Sequence, residues 1–186
     1  TFKTHVITRP VLEDFRPSFD PDGKYIYFLS KRTYVPYSDN LQFEMGFPKG
    51  TKPYLILLDA TLTSPFIPQV KDAEKAQKKD KDKKKEEGPK DIKIDLKGIE
   101  NRILEFPVSE GNYTMIQGIH GKVLYLTRPL QGALGEEEEE HSPKGSLECY
   151  DFTTQKEDTL VSKISSFFLS ADRQWLCYYG AKKLRV

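Results

Sequence analysis

The residues best suited to hold another molecule lie together in one segment. "KRTYVPYSDNLQFEMGFPKG", 31 to 50, carries Tyr34, Tyr37, Phe43, Met45 and Phe47 beside Arg32. Aromatic rings offer large apolar faces and an arginine fork pairs with carboxylates, which together is the chemistry of a peptide contact. Arg32, Tyr34, Phe43 and Phe47 are the contact candidates. Two readings stay open: the segment folds over its own sheet and buries these rings as a satellite core, or it forms a lid or contact surface at the mouth of a larger structure. Catalysis finds no comparable footing. There is no G-x-S-x-G elbow, no H-E-x-x-H, no glycine-rich phosphate loop and no Cys/His ligand cluster. His5, His120 and His141 are far apart, His120 falls in an "IHGK" turn, and no spacing among serines, histidines and aspartates selects a triad. No residue is therefore named as catalytic or metal-binding, and no cofactor is expected.

Composition narrows the partners. With 29 basic and 28 acidic residues the chain has a net charge of +1, so no global field draws it to nucleic acid or to an anionic membrane. No apolar run approaches the ~20 residues that span a bilayer. Cys149 and Cys177 are too few for a disulfide framework and read as plain buried or half-buried thiols in reduced surroundings. The chain opens at Thr1 without methionine, which leaves a processed signal or a trimmed start open. The run "KDAEKAQKKDKDKKKEEGPK", 71 to 90, interleaves balanced charges with almost nothing apolar. It cannot bury enough surface to offset the entropy of ordering and reads as a disordered or frayed-helical surface loop. A nucleic-acid tether would need net basic charge and stacking groups, which it lacks. The acidic run Glu136 to Glu140 reads as a solvated loop, without the D-x-D-x-D-G spacing of a calcium site.

The elements that must position the aromatic segment begin just before it, in "FRPSFDPDGKYIYFLS", 15 to 30. Phe15, Pro17 and Phe19 alternate as in a strand, and Asp20-Pro21-Asp22-Gly23 carries turn chemistry. In the strand that follows, Tyr25, Tyr27 and Leu29 face one way while Ile26 and Phe28 face the other. A strand apolar on both faces is buried between layers. The unit recurs. "LSADRQWLCY", 169 to 178, superposes on "FDPDGKYIYF", and "IQGIHGKVLYLT" places Gly121 and Lys122 on Gly23 and Lys24.

Further strand-like stretches follow each hairpin: "PYLILLDA", "IENRILEFPV", "SLECYDF" and "EDTLVSKI". Units of about 40 to 50 residues with four short strands are the signature of a β-propeller. The predicted fold is all-β, a propeller segment of about three four-stranded antiparallel blades belonging to a larger propeller. Residues 1–10 form the outer strand of a preceding blade, 11–108 a first blade with inserts at 31–52 and 69–91, 109–164 a second, and 165–186 an incomplete third.

Two family resemblances follow from these motifs. "FDPDGKYIYFLS" resembles the repeat of TolB-type propellers. The order of "KYIYFLSKRTYVPYSDNLQFEMGFPKGTKPYLILLDATLTSPF", a charged gap, and "IKIDLKGIENRILEFPVSEGNYTMIQGIHGKVLYL" resembles the propeller region of tricorn-type proteases, most specifically in "IDLKGIENRILEFPV". The second resemblance implies a non-catalytic propeller that guides or filters peptides or unfolded polypeptide for serine-peptidase domains elsewhere in the same chain. It further implies a cytoplasmic homo-oligomer without nucleic-acid or membrane partners. The alternative is a TolB-like protein-binding propeller without peptidase activity; downstream coding sequence separates the two. Whether the parent is an enzyme therefore rests on the resemblance, since these residues supply no catalytic group. One departure stands out: Arg173 occupies the turn position that Gly23 holds in the first repeat, at a cost of about 1 kcal/mol if φ is positive there.

Replacing residues 71–90 by a short Gly/Ser linker is expected to leave the melting temperature nearly unchanged; a loss of several degrees in a thermal scan would show that the segment packs.

Overall fold

The repeated hairpin forms, and forms three times. In the computed structural model, which describes residues 3–38, 45–67, 92–129 and 145–186, β1 (Asp14–Phe19) and β2 (Tyr25–Ser30) flank the first turn. There the Gly23 N–H donates to Asp20 O and the Asp20 N–H to Tyr25 O, both at 3.0 Å, with Gly23 at φ 69°. The last copy repeats this: the Arg173 N–H donates to Ser170 O at 2.9 Å, the Ser170 N–H to Trp175 O at 3.0 Å, and Arg173 adopts φ 57°. Arg173 thus takes the left-handed conformation that glycine reaches without cost. The middle copy turns more tightly through His120 and Gly121, the latter at φ 69°.

Among the described residues the chain is all-β apart from one 3-10 turn, Ile99–Asn101. After a two-stranded ribbon of β3 (Tyr37–Ser38) and β4 (Met45–Gly46), β5 (Lys52–Leu57) and β6 (Ile103–Glu105) complete an antiparallel sheet in the order β1-β2-β5-β6. A second sheet holds β7 (Asn112–Ile119), β8 (Lys122–Arg128), β9 (Gly145–Asp151), β10 (Lys156–Leu169), β11 (Leu176–Gly180) and β12 (Lys183–Arg185), hydrogen-bonded in chain order.

Three features depart from the sequence reading. The division expected at 164/165 is not a break in the ladder, because β10 runs 14 residues through it and Ile164 pairs with both Gly145 and Gly180. "SKISSFFL" has no glycine, proline, asparagine or aspartate to make a tight turn, and the strand bends instead, through register shifts on either side of Ile164 and with Lys163 at φ 62°. The first strands of the three repeats share a bulge, between Phe15 and Ser18, Tyr113 and Met115, and Ile164 and Ser166. In β1 it breaks the expected alternation, with Arg16 at φ 55°: Phe15 packs on the core while Phe19 is exposed. Finally, residues 3–9 form no ladder. A strand exists only when paired; here Ile7 packs on the outward face of the first sheet and Arg9 Nη2 donates to Asn101 Oδ1 at 3.1 Å.

The expected two-sided burial of β2 is observed. Ile26 and Phe28 join Tyr54, Ile56, Leu58 and Ile99 on the outward face. Tyr27 and Leu29 join Leu55, Phe106, Tyr113, Ile116, Val123, Tyr125 and Tyr150 between the sheets. The rings meet edge to face, Phe66 on Phe106 at 5.0 Å and Phe106 on Tyr150 at 5.5 Å between centroids, the arrangement that aromatic quadrupoles favour. A third cluster, Leu124, Leu126, Leu147, Cys149, Ile164 and Phe167, fills the bend of the second sheet. The two sheets approach closely where β7 carries Gly118, since a Cβ there would stand 2.4 Å from Tyr27 Cε2.

Gly118→Ala is therefore expected to force the sheets apart and lower the unfolding free energy by about 1–3 kcal/mol, the usual cost of overpacking. Urea midpoints of the two proteins check it; equal midpoints would show that Tyr27 swings away freely.

Candidate functional site

The 31–50 insert leaves β2 at Ser30, at the end of the hairpin opposite the Gly23 turn. Its arginine is spent inside the fold. Arg32 closes its fork on Asp14, Nε to Oδ1 at 3.1 Å and Nη2 to Oδ2 at 2.7 Å, while Nε also meets Ser30 Oγ at 2.9 Å. The guanidinium lies 5.6 and 5.8 Å from the Phe28 and Tyr54 ring centroids, and the two charged side chains are 19% and 12% exposed. A bidentate pair of this kind holds register. Burial pushes the Asp14 carboxyl up, but hydrogen bonds from Arg32, Ser30 and Thr8 outweigh it and hold the group below its ordinary range. Next to it, Tyr54 Oη donates to Glu105 Oε2 at 3.1 Å, and Glu105 also pairs with buried Lys52. Burial, with Glu105 alongside, pushes the Tyr54 phenol up to about 12.

The aromatics face outward. Tyr34 and Phe47 meet edge to face, 5.9 Å between centroids at 86°, and remain 62% and 50% exposed. Tyr37 opens the β3–β4 ribbon, and Lys49 Nζ sits 5.2 Å from its ring centroid. The structure therefore brings Tyr34 and Phe47 together and commits Arg32 elsewhere; Phe43 lies outside the described residues, as do 71–90 and Glu136 to Glu140.

Lys49 also borders a cleft of about 530 Å³ between the end of the insert and the second sheet, lined further by Glu110, Tyr113, Arg128, Glu148 and Glu157. A bridge from Thr51 to Gly111 and Asn112 brings the end of the insert to the start of β7. Tyr125 Oη donates to Glu157 Oε1 at 2.6 Å, and Arg128 Nη2 to Ser165 O at 2.9 Å. Burial raises the Tyr113 phenol, and the carboxylates of Glu157, Glu148 and Glu110 add to the shift. An apolar, cationic ledge thus leads into a polar cleft rich in carboxylates, which can hold backbone amides and side chains of an extended chain by hydrogen bonding. The sequence reading missed this cleft. Lys49 comes from the insert of the first repeat and the other lining residues from several strands of the second, far apart along the chain, so no local spacing joins them; the one available signal was acidic Glu148 set among the apolar residues of "SLECY".

Cys149 is buried, Cys177 half-buried, and both are free thiols. Among the described residues no helix is long and apolar enough to cross a membrane.

Comparison with known proteins gives one consistent relationship. The family model for the tricorn protease second beta propeller domain matches residues 1–186. The chain is 34% identical over 181 residues to a tricorn protease homolog of Saccharolobus solfataricus, covering 97% of this chain and 15% of the relative. It is 34% identical over 177 residues to tricorn protease homolog 1 of Streptomyces coelicolor, covering 94% and 17%. The crystal structure of the tricorn protease superposes with a TM-score of 0.70 at 25% identity, over 94% of this chain and 16% of that one. The chain thus corresponds to a small part of each relative.

Arg32→Lys keeps the charge but cannot present the fork, so a loss of about 2 kcal/mol in unfolding free energy is expected. The Asp14 carboxyl has a folded pKa below its unfolded one, so its stabilisation is present above the unfolded value and is lost as pH falls through the folded value. Asp14→Asn should therefore remove part of the stability at neutral pH and flatten the acid limb below about pH 4. Denaturant midpoints against pH, with limbs of equal slope in both proteins, would contradict this.

Proposed function

The chain belongs to the tricorn protease second beta propeller family, and from that premise we propose that its blades are a non-catalytic segment that guides or filters peptides for peptidase sites carried elsewhere in a longer polypeptide. The observation that carries the proposal is the exposed Tyr34–Phe47 pair, with Lys49 of the same insert bordering the carboxylate-rich cleft on the second sheet. Large rings that remain exposed in a folded chain lose little entropy on contact and offer apolar area to an extended peptide whatever its sequence, as a filter requires. The mixed charges of the cleft add hydrogen bonding without selecting one side chain. The reading extends, on family likeness alone, to a cytoplasmic homo-oligomer whose active sites are of the serine type. Arg32 drops out as a peptide contact, since its fork is closed on Asp14.

Phe47→Ala and Tyr34→Ala in the intact protein are expected to slow turnover of long peptides about fivefold, the value of roughly 1 kcal/mol of lost aromatic contact. Short chromogenic peptides, which need no guidance, should turn over as before. Equal effects on both substrate classes would reduce the ledge to a supporting role.

A further inference from the structure

At the other end of the hairpins a second arginine stands in the opposite state to Arg32. Arg173, in the turn of the last repeat, reaches the ends of both other first strands: Nη1 donates to Phe19 O at 2.7 Å and also to Gly118 O. One nitrogen therefore ties three repeats through its two protons. A guanidinium carries five protons, and the side-on fork that accepts a carboxylate is built from Nε and Nη2, as Arg32 demonstrates on Asp14 in this same chain. In Arg173 that fork is the edge turned away from the two carbonyls.

Among the described residues, the carboxylates of the neighbouring turns each make hydrogen bonds through Oδ1 to groups other than Arg173. Asp172 Oδ1 accepts from the Ser170 hydroxyl at 2.5 Å and the Gln174 N–H at 3.1 Å, and Asp22 Oδ1 lies 2.7 Å from His120 Nδ1. Two large rings are exposed at the same turns: Trp175, two residues after Arg173, at 64%, and Phe19, whose carbonyl the arginine holds, at 48%.

We propose that the Nε–Nη2 edge of Arg173, with Trp175 and Phe19 beside it, is a carboxylate-binding site for peptides at the turn end of the three hairpins. The tie through Nη1 holds the guanidinium in place, so the fork is preorganised and a carboxylate docks without breaking either carbonyl bond. It also explains why an arginine occupies a left-handed position: the conformational cost is offset by two charge-assisted bonds and a fixed fork. The inference rests on the peptide-guiding reading only for the class of ligand, and the site lies at the end of the hairpins opposite the Tyr34–Phe47 ledge.

Trp175 is the only tryptophan of the chain, so its fluorescence reports the site directly. The test titrates the chain with three hexapeptides of one apolar sequence: a free C-terminal carboxylate, its amide, and the amide with one internal glutamate. Anisotropy of the same peptides, labelled, on the intact protein is the parallel measurement. The free acid is expected to bind about tenfold more tightly than the amide, the value of a charge-assisted hydrogen-bond pair. The glutamate peptide tells whether a side-chain carboxylate serves as well as the chain terminus. Arg173→Lys keeps the charge and the carbonyl ties but not the fork, and should reduce the preference to about twofold or less; Arg173→Gly, which suits the backbone, should abolish it. Equal binding of acid and amide, a preference that survives in both variants, or no response of Trp175 to any carboxylate peptide would overturn the proposal. Phe47→Ala should leave the preference intact, so that failure of the ledge and failure of this site are told apart.

Discussion

The contact of Tyr27 with Gly118 is the constraint on which the rest of the arrangement depends. A ring laid where a Cβ would stand 2.4 Å away sets how closely the two sheets approach, and no larger residue in β7 permits that approach. Once it is made, the inter-sheet rings from Phe106 to Tyr150 interlock, and the ends of β1 and β7 come near enough for the Ser18 hydroxyl to accept from the Gly118 N–H at 3.2 Å. The same approach places Phe19 O and Gly118 O within reach of one arginine nitrogen. At the far end of the strands it leaves the cleft bordered by Lys49 and Glu157. Both ends of the hairpins are therefore consequences of one packing decision in the middle.

Two arginines divide the labour of that geometry. Arg32 sits beside the stacked Phe28 and Tyr54 rings with its fork closed on Asp14, where it anchors the base of the insert. Arg173 uses a single nitrogen to tie the repeats, which leaves its Nε–Nη2 edge directed away from the two carbonyls. Residue type alone does not separate these roles. A guanidinium becomes structural or available according to whether the fold brings a carboxylate to its side-on edge.

The continuity of β10 bears on how such repeats stay aligned. A strand that serves one repeat at its start and the next at its end fixes the rotation between them by backbone hydrogen bonds, more rigidly than a flexible connection would. The bulges in β1, β7 and β10 recur at matching places and twist each first strand in the same sense, as expected where strands crowd toward a common axis. The chain spans 15–17% of the length of the Saccharolobus and Streptomyces relatives.

The sequence by itself determined the all-β class, the three hairpins, their turns and the double-sided burial of β2, because these depend on side chains a few residues apart. Period-two apolar alternation and the Asp-Pro-Asp-Gly turn are local signals, and even the cost at Arg173 was legible from its alignment with Gly23. It also located the aromatic insert, but left open whether its rings are buried as a satellite core or exposed; the structure shows Tyr34 and Phe47 exposed. Tertiary structure alone decided the rest. Arg32 was an equally good contact residue until Asp14, from a neighbouring strand, closed its fork. Of the cleft residues, Lys49 comes from the first repeat and Glu110, Glu148 and Glu157 from widely separated parts of the second, and no spacing along the chain encodes their meeting. That Arg173 joins three repeats depends on strand ends far apart in sequence being brought together by the Tyr27–Gly118 packing. Local periodicity specifies elements, whereas a site is made of distances between elements, which packing sets.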